Sequence, residues 1–170
     1  MKKIVSVLMI VALPVLASAQ NKAIEQMFHK YSGKDGFTSI VITKNMFQLF
    51  ANVENPENDD FLRTVKNLDF IKILTAKGEA SGNAFYKEVM ELLPEKDYKE
   101  LMVMQESGEE VKFMTAEKDG VIRELIMVSR SRDESAMIWM AGIIDMKTVG
   151  KIAQSMNIEG MDDLNRAEKK

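Results

Sequence analysis

The sequence contains no cysteine and a single histidine, His29, and each shortage removes a class of chemistry. Without thiols there is no disulfide, no thiolate metal site and no cysteine nucleophile. One imidazole does not anchor a zinc site of ordinary type. As a general base it needs a serine or carboxylate brought to it by the fold. Basic residues are not in excess: 23 Lys and Arg stand against 26 Asp and Glu, without a basic stripe. That balance excludes nucleic acid as an expected partner, because phosphate binding leans on clustered cations. Long apolar runs are also missing. The longest, Ile4 to Leu16, is interrupted by Pro14 and is shorter than the roughly 20 residues a spanning helix needs.

What that first run does resemble is a secretory signal peptide. Lys2 and Lys3 form the positive start, Ile4 to Leu16 the apolar centre, and Ala17-Ser18-Ala19 a small-x-small cleavage site,. Cleavage is expected between Ala19 and Gln20. It lowers the basic count from 23 to 21 against 26 acidic residues, a net charge of −5. A lipid anchor requires cysteine at the first mature position, where this chain has Gln20, so no lipid anchor and no transmembrane segment are expected after processing. The expected layout is a signal peptide at 1–19, a single α+β domain at 20–158 and a polar tail at 159–170, exported to the periplasm or beyond the cell. A domain of that size buries roughly 70% of its unfolded surface, which suffices for a core without disulfides.

Periodicity predicts a helix over Lys22–Tyr31 with Ile24, Met27, Phe28 and Tyr31 on one face, then a strand over Phe37–Ile42,. Thr43 is placed to cap a helix over Lys44–Val53 that turns Met46, Phe47, Phe50 and Val53 inward. Pro56 breaks it, and Asp59 or Asp60 caps a short helix carrying Phe61, Leu62, Val65 and Leu68. A strand over Phe70–Thr75, a turn of small residues over Ala76–Asn83 and a helix over Ala84–Leu93 follow. Four strands then come in succession, Leu101–Glu106, Val111–Glu117, Val121–Arg130 and Ala136–Ile144, joined by short polar connections that suit hairpins. In the third, Val121, Arg123, Leu125, Met127 and Ser129 share one face, and Ile122, Glu124, Ile126 and Val128 the other. The last is apolar on both sides, which places it inside a sheet. Asp145 caps a final helix with Met146, Val149, Ile152, Ala153 and Met156 in a stripe. The expected architecture is α+β: an antiparallel-rich mixed sheet with a four-strand C-terminal meander, helices packed mainly on one face.

Methionine is the compositional outlier, with 14 in the chain. An exported thioether cluster binds Cu(I), yet the methionines fall where the pattern wants buried bulk, and core filling accounts for them. The carboxylate pairs Asp59-Asp60, Glu109-Glu110 and Asp162-Asp163 sit at turns or helix starts, where capping and solubility explain them. Gly78 and Gly82 lack the lysine and hydroxyl of a phosphate loop and read as turns. Arg130 and Arg132 read as a charged hairpin tip, a place where loops on a rigid sheet often carry function. No catalytic, cofactor-binding or metal residues are assigned.

Four segments carry a family resemblance: Val41-Ile42-Thr43-Lys44-Asn45-Met46-Phe47, Tyr98-Lys99-Glu100-Leu101-Met102, Gly120-Val121-Ile122-Arg123-Glu124-Leu125 and Gly142-Ile143-Ile144-Asp145-Met146. On these the mature chain resembles the domain of unknown function number 4252, exported proteins of Bacteroidetes-type bacteria. The resemblance implies a small exported α+β domain without an assigned activity, often lipid-anchored in relatives, a feature that Ala19-Gln20 does not carry over. The expected function is a non-enzymatic envelope binding or interaction module acting on an unknown envelope protein or small ligand, with no cofactor. A hydrolase whose site forms only in the fold, and a methionine-based carrier of Cu(I) or an apolar ligand, are the alternatives. A working surface is expected at the meander's hairpin tips or on a sheet face the helices leave open. Intact-mass measurement of the protein recovered from its host's envelope or medium is expected to give a chain beginning at Gln20; a chain retaining Met1 to Ala19 refutes the cleavage.

Overall fold

The computed structural model of the protein describes residues 16–51, 65 and 67–144. The elements are α1 (Leu16–Tyr31), β1 (Phe37–Thr43), α2 (Lys44–Ala51), β2 (Leu68–Lys77), α3 (Glu79–Glu91), β3 (Lys99–Glu106), β4 (Glu109–Lys118), β5 (Val121–Arg130) and β6 (Glu134–Ile144). The strands form one six-stranded sheet in the order β1-β2-β6-β5-β4-β3. Every neighbouring pair is antiparallel. The α+β class and the meander are those the sequence predicts, but the sheet is not mixed. The reason lies in the crossover: α3 carries the chain from β2 to the far edge, so β2 and β3, which run the same way, never become neighbours.

The meander closes through tight hairpins. Asp119 and Gly120 have φ of 54° and 74°, the paired positive values of a two-residue turn whose twist matches its strands. β6 lies between β2 and β5, as its two apolar faces require. It supplies Met137 and Trp139 to one core and Met140 and Ile144 to the other. On the first face, Ile24, Met27 and Phe28 of α1 and Phe85 and Val89 of α3 cover Leu74, Ile126, Val128, Met137 and Trp139. On the second, Phe47 of α2 and Val65 pack with Leu68, Phe113, Leu125, Met127, Met140 and Ile144. Two of the three described helices thus share a face, and α2 takes the other.

Several local expectations change. Ile122 joins the second core, not the face of Ile126 and Val128, because β5 carries one residue more than β4 between Ile122 and Glu124, opposite Glu117 and Ala116, a bulge that resets the alternation. Met46, expected inward, is 43% exposed, while its neighbour Phe47 is buried; a helix of eight residues presents one narrow stripe to the sheet. Leu68 opens a strand, not the end of a helix. The small residues of Ala76–Asn83 make a turn only at Gly78: β2 continues to Lys77 and α3 starts at Glu79. Gly82 is small because the helix lies close to β6 there: a Cβ on it would stand 3.1 Å from Ser135 Oγ. The expected side-chain positions of Phe50 and Val53, the cap at Asp59 or Asp60, Phe61 and Leu62, the final helix from Asp145 and the tail at 159–170 lie outside the described residues.

Gly142 holds the junction of β2 and β6. Its φ is 145°, and a Cβ there would stand 2.4 Å from the Asn67 carbonyl oxygen and 2.6 Å from Leu68 Cα. That carbonyl accepts the Ile143 N–H at 2.9 Å. Gly142→Ala is expected to destabilise the domain by about 2 kcal/mol or more, since neither the backbone angle nor the space admits a methyl group. Urea unfolding followed by circular dichroism measures it; an unchanged midpoint refutes the close approach.

Candidate functional site

The charged groups inside the fold come first, because buried carboxylates mark sites when they are free to react. Glu110 and Glu124 are both buried, at 7% and 8% exposure. Each accepts hydrogen bonds from side chains of the fold. Strand β4 turns Glu110 towards α3, where it accepts from the Tyr86 hydroxyl and, at 2.6 Å, from Gln105 Nε2. Arg130 Nη2 and Lys112 Nζ stand 3.8 Å away, and the Arg130 guanidinium lies 4.9 Å over the Tyr86 ring. Burial pushes the Glu110 carboxyl up, but the hydrogen bonds and the two cations outweigh it and hold the group below the ordinary carboxylate range. Burial beside Glu110 raises the Tyr86 hydroxyl, which therefore stays a donor. Glu124 accepts from Trp139 Nε1 at 2.9 Å and from the Tyr98 hydroxyl at 3.1 Å.

These two carboxylates do not form a catalytic pair. In the β4–β5 register Glu110 lies opposite Arg130 and Glu124 opposite Ala116. Six residues of strand, roughly 20 Å at 3.3 Å per residue, separate them, against the roughly 5–9.5 Å of paired carboxylates in glycoside hydrolysis. Capping and solubility do not explain Glu110, contrary to its position beside a turn; it is an internal acceptor. Arg130 is likewise more than a hairpin tip, since it stacks on Tyr86. Gly78, with φ of 89°, does make the turn expected of it, whereas Gly82 lies within α3.

His29 is exposed on α1 and sits 3.1 Å from Glu25. Glu25 is also the ion-pair partner of Lys72, whose ammonium group lies 4.7 Å from the Phe70 ring centre, 5.2 Å from Trp139 and 5.4 Å from Phe28. Glu88 of α3 completes the attachment of α1, accepting from Lys30 at 2.7 Å and from the Tyr31 hydroxyl. Burial raises the Glu88 carboxyl, and those two donors outweigh it and hold the group below its usual range. Among the described residues the buried methionines are divided between the two cores. Met27, Met114 and Met137 lie in one core, Met127 and Met140 in the other, with the sheet between them. Among the described residues no three His, Asp or Glu side chains converge as metal ligands.

The remaining features are surfaces. An open cleft of about 580 Å³ lies between the end of α3 and strands β3 and β4, lined by Met90, Leu93, Tyr98, Glu100, Lys112 and Met114 among others. A shallower cleft lies at the β3–β4 tip beside Gln105, Glu110 and Arg130, and an apolar margin sits away from the meander tips. Ile40 and Val41 of β1 are 46% and 49% exposed, and Met46 and Leu49 of α2 are 43% and 66% exposed. Among the described residues β1 pairs only with β2, so its outer edge offers free backbone groups.

A family model described as "Domain of unknown function (DUF4252)" matches residues 31–152. The chain belongs to this family. The matched span of DUF4252 begins at the end of α1 and covers all six strands. No curated protein and no solved structure matches the chain. Within the DUF4252 span, two of the resembling segments now have physical content: Gly142 permits the β2–β6 approach, and Glu124 anchors Tyr98 and Trp139. The alternating pattern of β5 hid Glu124 among polar positions; a carboxylate one residue before Leu125-Ile126-Met127-Val128 was the available signal. Lys72, within an otherwise apolar strand, was another. Glu110 gave no signal, because its partner Tyr86 is distant in sequence.

Glu88 and Glu110 stabilise the fold at neutral pH through values depressed relative to the unfolded chain, and that stabilisation is lost as pH falls through their folded values. The urea midpoint is expected to fall on acidification below about pH 4. Glu110→Gln is expected to lower the midpoint at pH 7 and flatten its acid dependence; an unchanged slope refutes the role given to Glu110.

Proposed function

We propose that this DUF4252 chain is an exported, non-enzymatic module of the cell envelope that works by binding through the margin formed by β1 and α2. The observation that carries the reading is the exposure of Ile40, Val41, Met46 and Leu49 within ten consecutive residues. Single exposed apolar residues are ordinary, but several along one edge strand and the helix that follows it mark an interaction surface, with Ile40 on the side of the sheet that α2 covers and Val41 on the other,. Free strand-edge groups beside it add the main-chain half of a common recognition mode, in which side chains select and backbone bonds hold. Export is supported by the tripartite N-terminal pattern and by the placement of α1's docking residues. Ile24, Phe28, Glu25, Lys30 and Tyr31 all follow the Ala19-Gln20 junction, so processing there leaves every one of them in place.

A photo-crosslinking residue at position 41 or 49, expressed in the native envelope, is expected to give discrete adducts, whereas one at Lys118 in the β4–β5 hairpin gives none. Equal labelling from all three positions, or none from 41 and 49, overturns the proposal.

A further inference from the structure

We infer that the occupant of this margin is a second copy of the same chain, joined through β1 to β1 as an antiparallel pair about a two-fold axis at Ile40. The inference rests on taking the β1–α2 margin as the working surface and names its partner. Three observations carry it.

The first is the contrast between the two edges of the sheet. Sheet proteins guard free edges with charge, proline or bulges. β3 has such guards: Lys99, Glu100 and Glu106 lie along it, and its pairing to β4 is broken by a register shift between Glu100 and Met102. β1 reads Phe-Thr-Ser-Ile-Val-Ile-Thr, with no charge and no proline, and it pairs with β2 in unbroken register.

The second is symmetry. Antiparallel pairing of two identical edges places each residue opposite its mirror position along the strand. Full overlap of the seven residues sets Ile40 opposite Ile40, Thr38 opposite Ile42, and Ser39 opposite Val41. These are β-branched and hydroxyl pairs of the kind that stabilise sheets. A charge on this strand would face its own copy near the axis, so the neutrality of β1 is what self-pairing requires. A partner recognised by opposite charge would call for the reverse. Because β3 is guarded, the contact closes as a dimer and does not continue from β1 to β3 as a filament.

The third is continuity of the apolar face. Ile40 pairs with Ile73 of β2 and Ile42 with Ile71, and Ile42 and Ile71 pack against the second core. A two-fold at Ile40 extends that face across both copies into a twelve-strand sheet, with the strip beside Ile40 covered on one side by its counterpart. A strand contact of this length is below the roughly 1,200–2,000 Å² of standard interfaces, so a dissociation constant in the micromolar range is expected.

The test uses residues 20–170 and sedimentation velocity across that range. Wild type is expected to pass from monomer to dimer as concentration rises. Ile40→Lys and Ile40→Glu each place like charges across the axis and are expected to weaken the dimer by about a hundredfold. An equimolar mixture of the two sets Lys opposite Glu and is expected to recover the dimer, which also shows that both variants fold. Wild type that stays monomeric, or a mixture that does not recover, overturns self-pairing. If adducts from positions 41 and 49 persist in the envelope with a monomeric wild type, the margin binds a different strand and only the choice of partner falls; if the adducts are absent as well, both fall.

Discussion

The fold depends on one long-range pairing, that of β2 with β6. Leu68 to Lys77 and Glu134 to Gly142 lie far apart in the chain, yet their register joins the β1–β2 pair to the meander. Before that pairing forms, β6 has one neighbour, and the residues it offers to both cores have only half their walls. Pairing of this kind has to overcome loop-closure entropy before burial rewards it. The close approach of Gly142 to Asn67 and Leu68 sets one end of that register, and the seat of Gly82 against Ser135 lets α3 lie close over the strand.

Around that seam the charged groups act as fasteners. Glu124 joins a residue ahead of the meander, Tyr98, to the central strand through Trp139. Glu110 fixes the middle of α3 to the β3–β4 hairpin through Tyr86 and Gln105. Lys72 and Glu25 fix α1 over the opposite end of the same face. Three polar attachments at separate points leave the hydrophobic contacts between them little freedom to slide. An acceptor of this sort is costly to remove because its buried donors lose their partner.

Much of this was legible in the chain. The 2.0 period of Val121 to Arg130 and the double-sided apolarity of Ala136 to Ile144 gave the meander and the interior position of its last strand, because a buried sheet imposes those patterns directly. The start of α3 was not legible: Gly78, Ser81 and Gly82 are weak helix formers, and the small size of Gly82 answers to a strand distant in sequence. The face of Ile122 was lost for a similar reason, since a bulge is a property of the pair and not of the strand. Of the candidate surface, the apolar residues Ile40 and Val41 were visible, but their strand's place at the edge, which makes them matter, follows from strand order alone.

The single tryptophan of the chain occupies an unusual position in this scheme. Trp139 lies on the central strand, donates to Glu124, meets Phe70 edge-on at 4.8 Å and sits beneath the Lys72 ammonium group. Its indole therefore touches the seam, the anchor to Tyr98 and the clamp on α1 at once. The protein carries its own optical gauge: a native chain holds the indole between a carboxylate and a cation in a dry setting, and loosening any of the three attachments alters the colour and intensity of its emission.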